Sequence, residues 1–209
     1  MKKPIIGITS RIVDNNICKV PESIIEYVIK CGGIPMVIPN LDGELLKEII
    51  SPFDGFIIPG GVTFTKTDEY VIDYAIINDL PLIGICAGMQ ALGCLRYFGD
   101  DDSDQTIPTN TNINHHEVGK EYVHEININD GILKDILDKD RIQVNSRHYH
   151  MIKNDDLFVV DAISPDGVIE AIHIPNKRFI IGLQWHPEDL NDDSSKAIFA
   201  AFINTARNR

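Results

Sequence analysis

The sequence predicts an α/β fold with an open, mostly parallel central sheet, helices on both faces and a smaller antiparallel strand extension. Short apolar runs alternate with helical patterns through the first half of the chain, which is typical of parallel strands buried on both faces. The second half contains strand patterns separated by turn signals, which favour antiparallel pairing. Because 209 residues suffice for one such unit, we expect a single domain over residues 1–209.

In the first half, the predicted elements alternate between strand and helix. Strands are expected over 4–10, 34–39, 55–61 and 81–85. Helices are expected over 22–33, 43–51, 68–79 and 87–98. The third helix is predicted to be capped by Thr67 or Asp68. Ligands of open α/β sheets bind at the carboxyl ends of the strands, so residues that directly follow these strands are the first candidates for a site.

The second half is predicted to consist mainly of strands. They are expected over 122–129, 141–146, 157–164, 168–175 and 178–185. A closing helix is expected over 192–208, with Asp and Ser residues at its start. The polar segment 99–120 is predicted to be a loop over or beside the site. Its acidic run, 100–104, lacks the spacing of an EF-hand and is expected to be a solvated surface.

Composition excludes several classes of protein. A net charge of −12 argues against a nucleic-acid surface, which needs clustered Lys and Arg. Apolar runs fall short of the roughly 20 residues of a membrane span, and the start of the chain lacks a signal-peptide pattern. The four cysteines form no CxxC pair, which disfavours a disulfide framework or a zinc site. We therefore expect a cytoplasmic protein without a membrane or nucleic-acid partner, a metal or a cofactor.

Cys86 stands at an abrupt corner between the apolar run "PLIGI" and a helical pattern. A sharp turn from strand to helix strains the corner residue and requires small neighbours, which Gly84 and Gly88 supply. The same design exposes the serine of the G-x-S-x-G elbow in hydrolases. The start of a helix also favours a thiolate. The pattern therefore predicts Cys86 as a nucleophile, whereas Cys18, Cys31 and Cys94 are expected to be ordinary small apolar residues.

A cysteine nucleophile needs a base and a group that orients the base. His186 and Glu188 follow the strand "RFIIGLQW" and are two residues apart. In an extended segment they point the same way, and Pro187 restricts the backbone between them. Glu188 is therefore predicted to hold the imidazole of His186 in the tautomer that catalysis requires.

An oxyanion hole is expected beside this predicted triad. The strand "GFIIP" ends at Gly60 and Gly61, and backbone N–H groups in such a turn can face a developing oxyanion. The N–H of Ala87, which follows the nucleophile, is expected to join them.

With these residues assembled, the sequence resembles the class I glutamine amidotransferase superfamily. "GICAGMQ", "PGG" and "GLQWHPE" are similar to its three signatures, in the same order. "VNSRHYH" (144–150) and "SPDGVIEAI" (164–172) are similar to stretches of γ-glutamyl-γ-aminobutyrate hydrolases, peptidase family C26. The resemblance covers residues 4–204 and implies the flavodoxin-like fold of class I glutamine amidotransferases.

The resemblance implies a hydrolase that cleaves the γ-glutamyl amide bond of a small γ-glutamyl amine. Cys86 would form a γ-glutamyl thioester, and water would then release glutamate. The resemblance places four residues in the substrate pocket: Gln90, Asn145, Ser146 and His148. No function is expected for the remaining five histidines: His115, His116, His124, His150 and His173. Ala87 replaces an Arg that is frequent in the family, and His150 replaces a Gln; these departures leave the amine unassigned.

Two other interpretations stay open at this point. The same triad would serve a glutaminase subunit that passes ammonia to a partner synthase, so the triad does not separate this role from a free-standing hydrolase. The hydrolase is favoured by the "VNSRH" stretch and by the lack of a second catalytic domain. A catalytically idle binding protein is disfavoured because Cys86 and His186 are both present. A homodimer is a weak default.

Overall fold

The computed structural model describes residues 2–13, 17–100 and 104–208, and these residues form a layered α/β structure. The strands are β1 (Ile5–Thr9), β2 (Arg11–Val13), β3 (Ile17–Lys19), β4 (Ile34–Ile38), β5 (Gly55–Ile58), β6 (Leu82–Ile85), β7 (Ile107–Pro108), β8 (His124–Ile128), β9 (Arg141–Val144), β10 (His150–Met151), β11 (Val159–Ile163), β12 (Ile169–His173) and β13 (Ile180–Leu183). The helices are α1 (Glu22–Lys30), α2 (Gly43–Ile49), α3 (Lys66–Asn78), α4 (Ala87–Gly93), α5 (Ile132–Leu137) and α6 (Asp193–Arg207).

The central sheet has nine strands in the order β4-β1-β5-β6-β13-β12-β11-β8-β9. The neighbours from β4 to β13 pair in parallel, and those from β13 to β9 pair antiparallel. A parallel sheet with an antiparallel extension was predicted, and the prediction is confirmed. In the parallel part, β5, β6 and β13 are direct neighbours, so the residues that follow them meet at one edge of the sheet.

Two apolar clusters fill the two faces of the sheet. Strand residues alternate between them: Ile83 and Ile85 of β6 belong to one cluster, and Leu82 belongs to the other. The first cluster takes its helical residues from α1, α5 and α6, and the second takes them from α2, α3 and α4. Helices therefore cover both faces, as the buried strand patterns require.

Some boundaries differ from the predicted ones. Helix α3 begins at Lys66 with Thr65 as its N-cap, so the predicted caps Thr67 and Asp68 were wrong. Thr65 and Asp68 form a capping box, in which each side chain accepts a hydrogen bond from the other residue's backbone N–H. The cap was misplaced because Asp68 caps from the N3 position rather than from the N-cap itself.

Other elements were not predicted or end earlier than expected. The β2–β3 hairpin, α5 and the β7–β10 pair were not predicted. Helix α4 ends at Gly93 and is followed by a 3₁₀ turn at Leu95–Tyr97. The segment 104–120 is mostly irregular, as predicted, apart from β7. The centre of the acidic run, 101–103, lies outside the described residues. None of the helices in the described ranges is long and apolar enough to cross a membrane.

Candidate active site

Cys86 occupies the strained corner that the sequence predicts. Its backbone has φ 51° and ψ −104°, a conformation that costs a non-glycine residue on the order of 1–3 kcal/mol. A Cβ on Gly84 would lie 2.5 Å from the carbonyl oxygen of Gly88. A Cβ on Gly88 would lie 2.3 Å from the carbonyl oxygen of Ile58. Both glycines are therefore required by the close approach of backbone atoms, and they allow β6 to turn into α4.

The His186 imidazole pairs with Glu188, with 2.8 Å between Nδ1 and Oε1. Pro187–Asp189 forms a 3₁₀ turn, so the extended geometry assumed for this pair was wrong. Pro187 begins the turn because its fixed φ suits the first helical position. The pair forms across the turn, and Glu188 is only 4% exposed.

The environment of His186 favours its protonated form. Burial lowers the pKa of His186, but the Glu188 carboxylate and a hydrogen bond with Cys86 outweigh burial and raise this pKa to about 10. Since Nδ1 faces Glu188, the other ring nitrogen, Nε2, is left for Cys86. The structure thus brings the predicted nucleophile, base and orienting carboxylate together at the ends of β6 and β13.

Asn145 fixes the backbone of His186. Its side-chain oxygen accepts a hydrogen bond from the His186 N–H at 2.8 Å, and its amide nitrogen donates to the His186 carbonyl at 2.9 Å. These contacts occupy the Asn145 side chain, which is 3% exposed. They give Asn145 the geometry of a positioning residue for His186. The substrate contact that the resemblance implies for Asn145 stays a prediction.

The turn after β5 lies against both reacting side chains. A Cβ on Gly60 would be 2.7 Å from His186 Cε1 and 3.3 Å from Cys86 Cβ, so only glycine fits there without displacing them. Ala87 is the first residue of α4, and the N–H groups at the start of a helix have no partner within it. The oxyanion hole of Gly60, Gly61 and Ala87 stays a prediction.

Arg11 holds the turn after β5 in place. Sequence reasoning missed this role of Arg11. Its Nε donates to the Gly60 carbonyl at 3.2 Å, and its Nη2 donates to the Pro59 carbonyl. Its Nη1 pairs with Asp68 at 2.8 and 3.1 Å. Arg11 is 8% exposed and Asp68 is fully buried. The available signal was an arginine two residues after a buried strand, at the edge of the sheet where sites form.

Three further groups hold the Asp68 carboxylate. It accepts hydrogen bonds from the Thr9 hydroxyl at 2.6 Å, the Thr65 N–H at 2.7 Å and the Thr65 hydroxyl at 2.9 Å. A buried carboxylate needs such partners. The end of β1, the turn after β5 and the start of α3 are therefore tied together through one ion pair.

A cavity of about 300 Å³ opens above Cys86, a volume at the lower end of the range for small-molecule sites. Its lining comes from α4, the turn after β5 and the segments around 116 and 147–150. The lining residues are Gly61, Val62, Cys86, Gln90, His116, Arg147, His148, Tyr149 and His150. Two of the four predicted substrate-binding residues, Gln90 and His148, are among them.

Gln90 and Ser146 are both engaged with the protein. The Gln90 side-chain nitrogen donates to the His150 carbonyl at 2.9 Å and to the Gln184 side-chain oxygen at 3.3 Å. Ser146 is fully buried, and its hydroxyl donates to the His115 carbonyl at 2.9 Å. Gln90 therefore shapes the wall of the cavity from a fixed position, and Ser146 lies behind that wall. Their contacts with a substrate stay predictions.

Comparison with known proteins assigns this chain to a family. Residues 4–67 and 65–188 match the family described as Peptidase C26. A γ-glutamyl-γ-aminobutyrate hydrolase of Escherichia coli strain K12 is 26% identical over 243 residues, which cover 99% of this chain and 95% of that protein. A CTP synthase of Lactobacillus johnsonii is 31% identical over 198 residues, which cover 80% of this chain and 36% of the synthase.

A solved structure shares the fold. The glutaminase domain of Trypanosoma brucei CTPS has a TM-score of 0.70 at 15% identity, with 99% of this chain and 95% of that chain covered. At this identity the likeness supports the fold alone.

Proposed function

Because this chain belongs to the peptidase C26 family, we propose that it hydrolyses the γ-glutamyl amide bond of a small γ-glutamyl amine. The observation that carries the proposal is the contact of Cys86 with the His186 imidazole, which Glu188 holds at 2.8 Å, beside a cavity that Cys86 lines. The E. coli relative named as a γ-glutamyl-γ-aminobutyrate hydrolase matches this chain almost end to end. That match supports a hydrolase of the same kind.

In the proposed first half-reaction, the Cys86 sulfur attacks the γ-carbonyl carbon and the carbonyl π bond opens to an oxyanion. The resting proton is placed on His186 Nε2, since the pKa of this ring is raised to about 10. Backbone N–H groups of Gly60, Gly61 and Ala87 stabilise the oxyanion. When the C–N bond breaks, His186 gives its proton to the leaving amine, and a γ-glutamyl thioester remains on Cys86.

In the second half-reaction, neutral His186 takes a proton from water as the water oxygen attacks the thioester carbonyl. The C–S bond breaks, glutamate leaves, and the proton returns the His186–Cys86 pair to its resting state. Glu188 keeps the imidazole ring oriented through both half-reactions and stabilises its positive charge. Asn145 supports the same geometry from the backbone side of His186.

The thioester provides the test of this mechanism. The purified protein is mixed with a chromogenic γ-glutamyl anilide, quenched in acid within the first turnover and measured as intact protein by mass spectrometry. We expect a mass increase of one γ-glutamyl group on Cys86, and none in Cys86→Ala. The matched control is Cys94→Ala, which removes a buried thiol outside the cavity and keeps the adduct. Turnover of the substrate without an adduct under any quench, or by Cys86→Ala, contradicts the proposal.

A second candidate, a glutaminase subunit that delivers ammonia to a partner synthase, is favoured by one surface observation. Apolar side chains stand exposed beside the turn after β5: Ile12 is 58% exposed, Ile17 is 55% exposed and Val62 is fully exposed. An exposed apolar rim is typical of a surface that another protein covers. Under this proposal, glutamine would be the substrate, and a partner synthase would raise the rate of glutamate release. The same assay without any partner separates the two candidates.

A further inference from the structure

Four buried side chains converge behind the wall of the cavity, and the proposed hydrolysis uses none of their facing atoms. Glu170 of β12 is fully buried, and His115, His124 and His148 surround it with exposures of 3%, 7% and 4%. The distances to Glu170 Oε1 are 3.4 Å from His115 Nδ1, 3.4 Å from His124 Nε2 and 3.9 Å from His148 Nε2. We call these four residues the His₃Glu cluster.

The facing atoms of this cluster lack ordinary hydrogen bonds. Across the described ranges, no hydrogen-bond partner is found for His124 Nε2, for His148 Nε2 or for either carboxylate oxygen of Glu170. A buried polar atom without a partner is costly. Four such atoms in one buried cluster are therefore a feature that needs a physical explanation.

The hydrogen bonds of the outer ring nitrogens show which inner ring nitrogens are free to bind a ligand. His148 Nδ1 lies 3.0 Å from the His150 carbonyl, and His124 Nδ1 lies 3.3 Å from the Glu125 carbonyl. A carbonyl oxygen accepts only, so both Nδ1 atoms carry the proton and both Nε2 atoms of a neutral ring present lone pairs to Glu170. This pattern, an outer N–H held by an oxygen and an inner lone pair left free, is typical of histidines that bind a metal.

In His115 the two ring nitrogens exchange roles, so that Nε2 is the outer nitrogen and Nδ1 faces the cluster. Its Nε2 lies 3.0 Å from an Asp166 carboxylate oxygen, and its Nδ1 faces Glu170 and the Ser146 hydroxyl, the latter at 3.2 Å. The Ser146 hydroxyl donates its hydrogen to the His115 carbonyl, so it does not donate to Nδ1 as well. A histidine whose outer nitrogen is held by a carboxylate is a basic and oriented ligand.

The spacing suits a small divalent ion. Zn–N bonds of about 2.0–2.1 Å in a tetrahedron place the ligand atoms about 3.3 Å apart. The three distances from the histidine nitrogens to Glu170 Oε1, 3.4, 3.4 and 3.9 Å, are close to this value. The ligand atoms of His115, His148 and Glu170 all lie within 4.8 Å of one another. His124 is outside this group of three and approaches it at Glu170, 3.4 Å from Oε1, so its ring has to move closer to the other two histidines to become the fourth ligand.

We propose that His115, His124, His148 and Glu170 form a structural binding site for a divalent transition metal of the zinc class. Three imidazoles and one carboxylate are a ligand set that zinc takes in proteins.

The site joins segments that are distant in sequence. His115 comes from the irregular segment before β8, His124 from β8, His148 from the segment after β9, and Glu170 from β12. The segment that carries His148 also carries Asn145, which fixes the His186 backbone. A bound ion therefore stabilises the wall of the cavity and the support of His186, without contacting the reacting atoms.

The test uses Co²⁺ and Zn²⁺ on the Cys86→Ser variant, so that the cavity thiol does not bind metal and the outcome is independent of hydrolase activity. Protein stripped with a chelator is loaded, desalted, and analysed for metal content, visible absorption of Co²⁺ and thermal midpoint. We expect one ion per chain, the intense visible absorption of tetrahedral Co²⁺ without thiolate charge-transfer bands, and a higher midpoint with metal. Protein that retains no ion after loading, or whose midpoint is unchanged by Zn²⁺, overturns the proposal.

Two variants assign the ligands. Glu170→Gln and His124→Gln preserve side-chain size and are expected to weaken Co²⁺ binding by about tenfold or more. The matched control is His173→Gln, which changes a histidine that pairs with Asp161 at 2.8 Å outside the cluster and should keep full affinity. Binding that is equal in Glu170→Gln and in the parent contradicts the assignment. Metal loading of the Cys86→Ser protein tests the proposed site even where one of these ligand variants does not fold.

Discussion

At the scale of single residues, the protonation state of His186 decides what chemistry the site can perform. His186 lies between a carboxylate and a thiol, and its pKa is raised to about 10. A histidine with this pKa is protonated at neutral pH, and in the proposed mechanism it therefore already holds the proton that the leaving amine needs. The structure places Glu188 as the main source of this charge stabilisation, because its carboxylate is 2.8 Å from Nδ1 and almost fully buried.

Glu188→Gln is expected to move the alkaline limb of the pH profile. Because the raised pKa keeps His186 protonated, kcat/KM of the parent should fall only as the pH rises through about 10. Without the carboxylate the pKa of His186 falls, so the limb moves to lower pH by about one unit or more. The measurement is kcat/KM against pH for both proteins. Glu44→Gln, at an exposed position, is the control, and an unshifted limb in Glu188→Gln would contradict this role.

Gly88→Ala is expected to destabilise the protein. Its new Cβ would lie 2.3 Å from the Ile58 carbonyl oxygen, and overpacking of this kind costs about 1–3 kcal/mol. The free energy of unfolding in urea measures the change. Gly43→Ala is the matched control, because its Cβ would meet its nearest atom, in Tyr70, at an ordinary 3.4 Å. Equal stability of the two variants would mean that the elbow tolerates a side chain.

At the scale of elements, the structure shows how separate strands are joined at the site. β5, β6 and β13 bring the turn, Cys86 and His186 to one edge of the sheet. The buried pair of Arg11, at the start of β2, and Asp68, in α3, then fixes the turn after β5. The loss of one partner of such a pair leaves a buried charge without compensation.

Arg11→Met is therefore expected to affect stability and turnover together. It removes the donors to the Pro59 and Gly60 carbonyls and leaves Asp68 with only its hydroxyl and N–H partners. We expect a loss of about 3–5 kcal/mol in stability and a lower kcat with a small change in KM, because the turn no longer aims its N–H groups. The control is Arg141→Met, which breaks an exposed pair with Glu125 and should cost less than about 1 kcal/mol. A kcat equal to that of the parent would contradict the role of Arg11.

The elements that sequence predicted well are those with strong patterns. The parallel strands and their helices follow from apolar runs that leave few alternatives, and the glycines around Cys86 follow from simple steric limits. Helix α5 was missed because it is short and gains its stability from tertiary packing. The β2–β3 hairpin was missed because each strand has only three residues and most of them are exposed, so no buried alternation marks them. Arg11 and the His₃Glu cluster were missed for another reason: their partners lie tens of residues away, and only the folded chain brings them together.

At the scale of the whole molecule, the net charge of −12 bears on the choice of substrate. A negative surface repels anions over a distance that salt shortens to about 10 Å at 0.1 M. A γ-glutamyl amide of a cationic amine meets no such repulsion.

We expect kcat/KM for a dianionic γ-glutamyl amide to rise with added salt, and kcat/KM for a cationic one to fall or stay level. The reason is that salt screens the repulsion of the first and the attraction of the second. The measurement compares both substrates between low and physiological ionic strength. A dianionic substrate that is strongly preferred at low salt would contradict this expectation and would point to a local positive potential at the cavity.

The most direct test of the central claim is glutamate release by the purified protein alone. Glutamine and a panel of γ-glutamyl amides are offered to the parent and to Cys86→Ala. We expect the parent to hydrolyse at least one γ-glutamyl amide well above glutamine, and Cys86→Ala to release no glutamate from any of them. Silence of the parent on every substrate, with a Cys86 thiol that alkylates readily, would contradict the free-standing hydrolase and favour the partner-dependent glutaminase.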